Sequence, residues 1–471
     1  VMDGVAATES VDTLSSPQRS TKRATVLGIF AALAGLLFGL DTGVVSGALP
    51  FVAKEFHASD VLQGWIVSSM MIGAMTGSLV AGRISTRFGR TGAMVSAAVL
   101  YVSGVLICTF APDPYVLMGG RVLIGLAIGL GAFAAPLYIS EITVESARGS
   151  MISVYQLMVS FGIFLGFLSD SVLAGSGRWH WMFGAMLIPS VLFLIFTLTL
   201  PHSPRWLLMQ GKQDHARRVL RVLRSDDEVA EAELRDIQSG MVHNSDSGLG
   251  LFRSNANFRR TVFLGMLLQI MQQLTGINAL LYYAPRVFEA AHFGANAAVW
   301  VTTLVGLVNM ALTGVAIACV DKWGRRPLLL LSCSLAMIAM LGVGVLLLTG
   351  ASSFPAQMAL CGFVLLFVAG FAIGEGPLVW TLCSEFQPSR GRDFGIGCST
   401  VTNWAANWVI SSTFPLIMAG LGTSWTFIMF AGFNALFAVI TMTLVPETKG
   451  VALETLEKNL FAGKSLRNIG Q

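Results

Sequence analysis

Four ionisable side chains lie well inside long apolar stretches of this sequence: Asp41, Arg121, Asp170 and Glu375. A charge left unpaired at the centre of a membrane-spanning helix costs at least about 2.5–3.5 kcal/mol, so each needs a partner or a task. Asp41 falls about eight residues below the outer end of its stretch and Arg121 about six below the outer end of its own, a depth difference of only about 3 Å. A carboxylate beside a guanidinium stays ionised, and one moved away from it in dry surroundings takes up a proton more readily. Asp41 therefore reads as a proton carrier and Arg121 as the group that controls it; the alternative is a static buried ion pair. All six histidines fall in loops or at the ends of the apolar stretches, poorly placed for a relay. Asp170 is near the outer end of its stretch and is expected to be solvated. Glu375, within FAIGEGPLVW (371–380), reads either as a second titrating group or as a residue facing water in a cavity.

A second set of residues suits a different ligand. QQLTGINALLYYAP (272–285) carries amides, hydroxyls and tyrosines inside an otherwise apolar run. Amides donate and accept at once, which fits a neutral polyhydroxylated solute better than an anion or a metal. At helical spacing Gln272, Thr275, Asn278, Tyr282 and Tyr283 share one broad arc, with Gln273 outside it. Gly276 and Pro285 predict local unwinding, as at the binding sites of broken transporter helices. Gln156, Asn309, Asn403 and Asn407 are polar residues at workable depth in other stretches, accompanied by Phe371, Trp380 and Trp404. Amides around an edge and an aromatic ring against a C–H face are what a pyranose requires. The alternative for the amides is hydrogen bonding between helices, and for the aromatics simple packing.

The elements that must hold these groups are membrane helices. Of the 471 residues, 54% are hydrophobic and 12% charged, against about a quarter charged in soluble domains. Twelve apolar runs are long enough to cross a bilayer: 26–49, 62–81, 91–110, 115–139, 150–174, 181–200, 261–288, 297–320, 327–349, 356–382, 394–418 and 424–445. The runs are longer and more continuous than the alternating strands of a barrel, so the fold class is all-α. Residues 1–23 are polar and predict no cleavable signal ahead of the first span. With the N-terminus in the cytoplasm, 26 of the 30 Lys and Arg residues face inward, as the positive-inside rule asks. The net charge of +4 is then a topology signal and not a nucleic-acid footprint. The six cysteines lie in or at the ends of spans with no CxxC pair, and read as inert fillers. No metal set or cofactor motif is expected.

The chain also repeats itself. Gly89-Arg90, in GRISTRFGR (82–90), recurs as Gly324-Arg325 235 residues later. Glu141 with Arg148 recurs as Glu385 with Arg392, and Pro201-x-Ser203 as Pro446-x-Thr448. This predicts two six-helix bundles, 1–201 and 261–471, joined by a cytoplasmic helical segment over 202–260 whose amphipathic stretches are 212–223 and 228–241. Repeated halves of this kind hold their substrate between them near the bilayer midplane. Arg83, Arg90, Arg148, Arg325 and Arg392, with Glu141, Glu385 and Asp321, are expected to form latches at the inner helix ends that lock one orientation of the halves. Simple anchoring at the membrane surface is the alternative.

The chain resembles the sugar porter family of the major facilitator superfamily, with bacterial galactose–proton symporters the nearest likeness. The resemblance is carried by AALAGLLFGLDTGVVSGALPF (31–51), APLYISEI (135–142), RGSMISVYQLM (148–158), SPRW (203–206), QQLTGIN (272–278), CSEFQPSRGRDFGIGCSTVTNW (383–404) and VPETK (445–449). It implies two bundles rocking about a central sugar site. It implies that sugar is held by Gln156, Gln272, Gln273, Asn278, Asn309, Trp380 and Asn403, with Phe371, Tyr283 and Trp404 as neighbours. It also implies that Asp41 and Arg121 are the acid and base of proton coupling. Thr86 and His202 stand where the family usually has acids, and Glu375 where it is usually neutral. The expected function is proton-coupled import of a monosaccharide by a monomer in the inner membrane. An uncoupled facilitator is the nearer alternative. A sugar sensor fits less well, since only 22 residues follow Lys449, and no P-loop, HExxH or nucleophile triad points to an enzyme.

Overall fold

The computed structural model describes residues 22–470 except 225, 242–247, 351–352, 389–390 and 452. The side chains of Arg148 and Asp321 lie outside the described residues. The first six predicted spans fold as α1 (Lys22–Glu55), α2 (Asp60–Thr109), α3 (Pro114–Ile142), α4 (Glu145–Leu173) and the pair α5 (Trp179–Ala185) and α6 (Leu187–Thr199). The segment between the spans carries α7 (Pro204–Met209), α8 (Gln213–Leu223), α9 (Asp227–Met241) and α10 (Gly248–Ser254). The remaining spans are α11 (Ala256–Leu274) with α12 (Ile277–Ala290), α13 (Ala295–Trp323), α14 (Arg325–Leu348), α15 (Phe354–Ile373) with α16 (Glu375–Glu385), α17 (Arg392–Leu421) and α18 (Thr423–Leu444), followed by a short α19 (Leu453–Phe461). No strand occurs among the described residues.

Two departures from the span-by-span reading have physical causes. Spans two and three run on without a loop as the 50 residues of α2, two helices that meet at a sharp break. At about 1.5 Å per residue it is more than twice the thickness of a hydrocarbon core, so it crosses twice. The bend is at Gly89, whose φ of 81° and ψ of 168° place it where only glycine is at ease. Ten helices or helix pairs have the length and apolarity of a span. The bent α2 accounts for two crossings, and α17 falls outside the ten because Ser399, Thr400, Thr402, Asn403, Asn407, Ser411 and Ser412 interrupt its apolar surface. Twelve crossings result, and the polarity that conceals the eleventh marks a helix that faces something other than lipid.

The packing follows the sequence repeat. α1 lies on α4 as α11 lies on α17, α2 lies on α3 as α14 lies on α15, and α2 lies on α6 as α14 lies on α18. The first and last six spans meet where α2 touches α17, α4 touches α13 and α1 touches α12. The α4–α13 seam is stitched by small hydroxyls: Ser160 and Thr313 are 3.0 Å apart, Ser171 and Thr303 2.6 Å. Small side chains of this kind are the usual cement between membrane helices.

The start of α1, the end of α19 and helices α7–α10 gather on one face of the bundle, here the terminal face; the opposite face is the distal face. On the terminal face the repeated Gly-Arg pair has one conformation twice, since Gly324 (φ 90°, ψ 156°) matches Gly89. Each arginine then meets the glutamate of its own set of spans, Arg90–Glu141 at 2.8 Å and Arg325–Glu385 at 3.1 Å. Glu447 accepts the backbone N–H groups of Arg325 and Arg326 at 3.1 and 3.0 Å, capping α14. The matching position in the first repeat is His202. Its ring lies against Gly89 and tilts over Trp206, centroids 4.7 Å apart, and Trp206 Nε1 donates to the Thr86 carbonyl at 2.8 Å. The two amphipathic stretches fold as α8 and α9, clasped by Arg217–Glu231 at 2.6 Å, and Arg224 ties them to the bundle by donating to the Ile142 carbonyl at 2.9 Å.

Burial, and then the nearby His215 and Lys212, push the His202 imidazole below its ordinary range. A neutral His202 in the folded state and a freer one in the unfolded state mean that the unfolded chain binds more protons below about pH 6.5. Stability contributed here is full above that pH and declines as pH falls through it. We expect the detergent-solubilised protein to lose more melting temperature between about pH 7.5 and pH 5.5 than its His202→Gln variant. Equal losses would show that His202 does not titrate against this packing.

Candidate functional site

Glycine decides where Asp41 sits. Gly35, Gly39, Gly43 and Gly47 face α4, where a Cβ on Gly39 would strike the Val159 carbonyl and one on Gly43 the backbone of Gly166. α2 and α3 meet in the same manner through Gly73 and Gly125. These approaches leave Asp41 fully buried and bring Arg121 against it. The guanidinium donates through Nη1 to Oδ1 at 3.1 Å and through Nη2 to Oδ2 at 3.3 Å, and Nη2 also reaches the Val67 carbonyl at 3.3 Å. Arg121 Nε has no partner among the described residues. The pair is bidentate, the strongest geometry open to it, and both side chains are sealed from solvent.

Asp170 corrects the reading of it as solvated. It is 1% exposed, because Gly47 lets α1 close over it, and its Oδ2 accepts the Gly47 N–H at 3.1 Å. Glu375 does not face water either. It is fully buried behind the break at Gly374, where its own N–H donates to Ser332 Oγ at 2.9 Å.

The amides form one connected chain. Gln272 Nε2 donates to the carbonyls of Glu375 and Gly376 at 2.8 and 3.2 Å. Its Oε1 accepts from Asn403 Nδ2 at 3.0 Å and from Gln273 Nε2 at 3.5 Å. Asn278 Nδ2 donates to Gln273 Oε1 at 2.6 Å. Gly276, with φ of 91°, breaks the span between the two amide pairs, which is how Gln273, off the helical arc, is turned back to meet Asn278. Across the cluster Asn403 also donates to Gln269 Oε1 at 2.7 Å. Gln269, one turn before Gln272, escaped the sequence reading; its spacing was the available signal.

Around this chain stand the aromatics. Trp404 is almost buried and meets Phe38 of α1 edge-on, centroids 5.5 Å apart. Phe371 packs beside Gly376, and Trp380 is 38% exposed. Gln156 on α4 and Asn309 on α13 are not bonded into the amide chain among the described residues. Tyr282 is fully buried beside Thr42 and Asn407, spanning the space between Asp41 and the amide-bearing helices. The Tyr283 hydroxyl donates to the Ser411 carbonyl at 2.9 Å and its ring lies over Phe414, pinning α12 to α17.

The two sets of spans are joined at the distal face. Arg286 reaches Asp60 at 2.8 Å and Gln63 at 3.3 Å, Trp65 meets Trp408 edge-on at 5.9 Å, and Gly64 touches the Ser412 carbonyl. On the terminal face Arg90–Glu141 and Arg325–Glu385 each brace one set of spans, and no ion pair among the described residues joins the sets there. Arg392 donates to the Gln387 carbonyl at 3.3 Å instead of pairing with Glu385, and Arg83 is exposed. The molecule is therefore closed at the distal face, and the strap that closes it joins Arg286 in the last turns of α12 to Asp60 at the start of α2, neither of them in the expected latches.

A helical membrane protein with a polar seam between two sets of six spans is a carrier of solutes. Residues 27–460 match the model of the family described as sugar (and other) transporter, and the chain belongs to that family. It is 48% identical to the galactose-proton symporter of Escherichia coli (strain K12) over 96% of this chain and 98% of that protein. It is 44% identical to the arabinose-proton symporter of the same strain over 98% and 99% of the two chains. Its fold is that of the major facilitator superfamily. The xylose transporter XylE from E. coli, in a partially occluded inward open conformation, superposes with a TM-score of 0.81 at 29% identity, covering 92% of this chain and all of that one.

The glycine contact beneath Asp41 is testable. Gly39→Val should destabilise the protein by about 1–3 kcal/mol through overpacking, read as a lower melting temperature in detergent. Gly82→Ala, where a Cβ meets nothing, should leave the melting temperature in place. An unchanged melting temperature in Gly39→Val would contradict the close α1–α4 approach.

Proposed function

We propose that this protein imports a monosaccharide, a hexose such as galactose or glucose or a pentose, together with protons, by alternating access. The observation that carries the reading is the conjunction of two unlike sites: a bidentate Asp41–Arg121 pair sealed from water, and an unbroken chain of amides with aromatics on the facing helices. The relatives named as galactose-proton and arabinose-proton symporters support it along nearly their whole length. An uncoupled facilitator would have no use for a buried ion pair whose removal from water costs several kcal/mol per ion.

In this reading Gln272, Gln273, Asn278, Asn309, Gln156 and Asn403 exchange their mutual bonds for bonds to sugar hydroxyls, and Trp380, Trp404, Phe371 and Tyr283 shape the walls. Asp41 takes its proton when the distal face is open and Arg121 has moved from it. The bundles 1–201 and 261–471 rock about this seam, with 202–260 as a cytoplasmic brace. The terminal face is cytoplasmic, which puts both chain ends inside and the Arg286–Asp60 strap outside. Arg90–Glu141 and Arg325–Glu385 stiffen each bundle, and the sets Arg83, Arg90, Glu141, Arg148 and Asp321, Arg325, Glu385, Arg392 meet across the seam when the terminal face closes. The protein works as a monomer in the inner membrane.

Adding galactose or arabinose to lightly buffered, de-energised cells expressing the protein should alkalinise the medium as protons follow the sugar inward. Sugar uptake without a pH change would leave a facilitator, and no uptake of any monosaccharide would remove the reading. Gln272→Ala should weaken sugar binding by about 1–3 kcal/mol, the cost of leaving buried polar groups unpaired; unchanged affinity would move the site away from the amide chain.

A further inference from the structure

Glu375 is a buried ionisable group for which the symport cycle has no use. Its side chain is fully buried, and neither carboxyl oxygen has a hydrogen-bond partner among the described residues. The elements packed against it offer little. α14 contributes Ser332, whose hydroxyl donates to the Gly370 carbonyl at 2.6 Å, and Cys333, whose thiol is the one titratable group facing the carboxyl among the described residues. α18 contributes Thr441, adjacent to Cys333. α11 contributes Gln272, which binds the backbone of 375 and 376 and not the acid. No charged side chain faces it among the described residues from these elements, or from α15 and α17, which also pack on α16. The start of α16 gives little help, because Pro377 has no N–H and the Glu375 and Leu378 N–H groups are already bonded to Ser332 and Gly374. Helix-end polarity falls well short of what an unpaired buried carboxylate loses with its hydration.

The position matters more than the burial. The Glu375 carbonyl holds Gln272, and Gln272 is the hub that accepts from both Asn403 and Gln273. The break at Gly374 (φ −131°, ψ −71°) means that the first turn of α16 is not held in place by the helix before it. Any force on the Glu375 side chain is thus passed to the hub of the amide chain through one residue's own backbone.

We propose that Glu375 is a positioning residue for the sugar-binding amides. It sits in this pocket as the uncharged acid, and loss of its proton draws the first turn of α16 out toward water and takes the Gln272 anchor with it. The inference rests on Gln272 being a sugar ligand. It adds a second proton-sensitive point, on the helices opposite those of Asp41, that sets sugar affinity without carrying the coupled proton.

The test is equilibrium binding of labelled D-galactose, with L-arabinose and D-xylose as alternates, to the purified full-length protein between about pH 6 and pH 9. Asp41→Asn serves as background, so that Asp41 cannot titrate. In that background affinity should fall by about tenfold as pH rises. Adding Glu375→Gln, an uncharged near-isostere, should abolish that dependence and hold the tight value throughout. Glu375→Ala should be weak at every pH, and its recovery in Glu375→Gln separates positioning from mere filling of space. An infrared band of a protonated carboxyl at neutral pH, present in Asp41→Asn and missing when Glu375→Gln is added, checks the uncharged state without relying on binding. Identical pH profiles with and without the Glu375→Gln substitution, or loss of affinity in Glu375→Gln at low pH, would overturn this proposal while leaving the transport reading standing. Failure of the unmutated protein to bind any of the three sugars would overturn both.

Discussion

The Asp41–Arg121 contact is the constraint around which the structure is arranged. Two opposite charges with no access to water survive only if each satisfies the other closely, and the 3.1 and 3.3 Å bonds do so. The helices that carry the pair are held closer than ordinary side chains allow, α1 on α4 and α2 on α3. The glycines at 39, 43, 73 and 125 permit these approaches. The pair is stable only while it is intact and dry. In the proposed cycle a proton reaches Asp41 only after the packing around it has opened, which makes protonation and conformation one event.

The second set of spans answers with a different physics. Its helices are broken at Gly276 and Gly374 and polar along α17. The Gln272 amide reaches the Glu375 and Gly376 carbonyls, just past the break at the start of α16. Amides bonded to one another can exchange partners with sugar hydroxyls at small net cost, since each bond lost is replaced by a similar one. The two sites are neighbours across the seam, Phe38 against Trp404 and Tyr282 beside Thr42. Movement of α1 that frees Asp41 therefore also moves a wall of the amide site. With the distal strap closed and no ion pair bridging the terminal face among the described residues, the molecule stands at one end of that movement.

Periodicity and length made the spans legible, and the matched Gly-Arg and Glu residues made the repeat legible down to a shared backbone conformation at Gly89 and Gly324. The meeting of Asp41 with Arg121 followed from depth alone. What did not follow was anything decided by a neighbour distant in sequence. Asp170 looked exposed because its burial is the work of Gly47, 123 residues away. Gln269 looked like one more polar residue until α17 placed Asn403 beside it. The strap of Arg286 was not legible because its partner, Asp60, belongs to the other set of spans. Tyr283 shared a face with the amides, but its bond to Ser411 was not legible, since it depends on the kink at 283 and on α17.

The most direct test of the account is to neutralise the carboxyl without changing its shape. In liposomes holding the purified Asp41→Asn variant, an imposed proton gradient should no longer drive sugar above its external concentration, while exchange of labelled for unlabelled sugar down its gradient continues. Uphill accumulation that survives in Asp41→Asn would contradict the claim that this buried pair couples protons to the movement of the two halves.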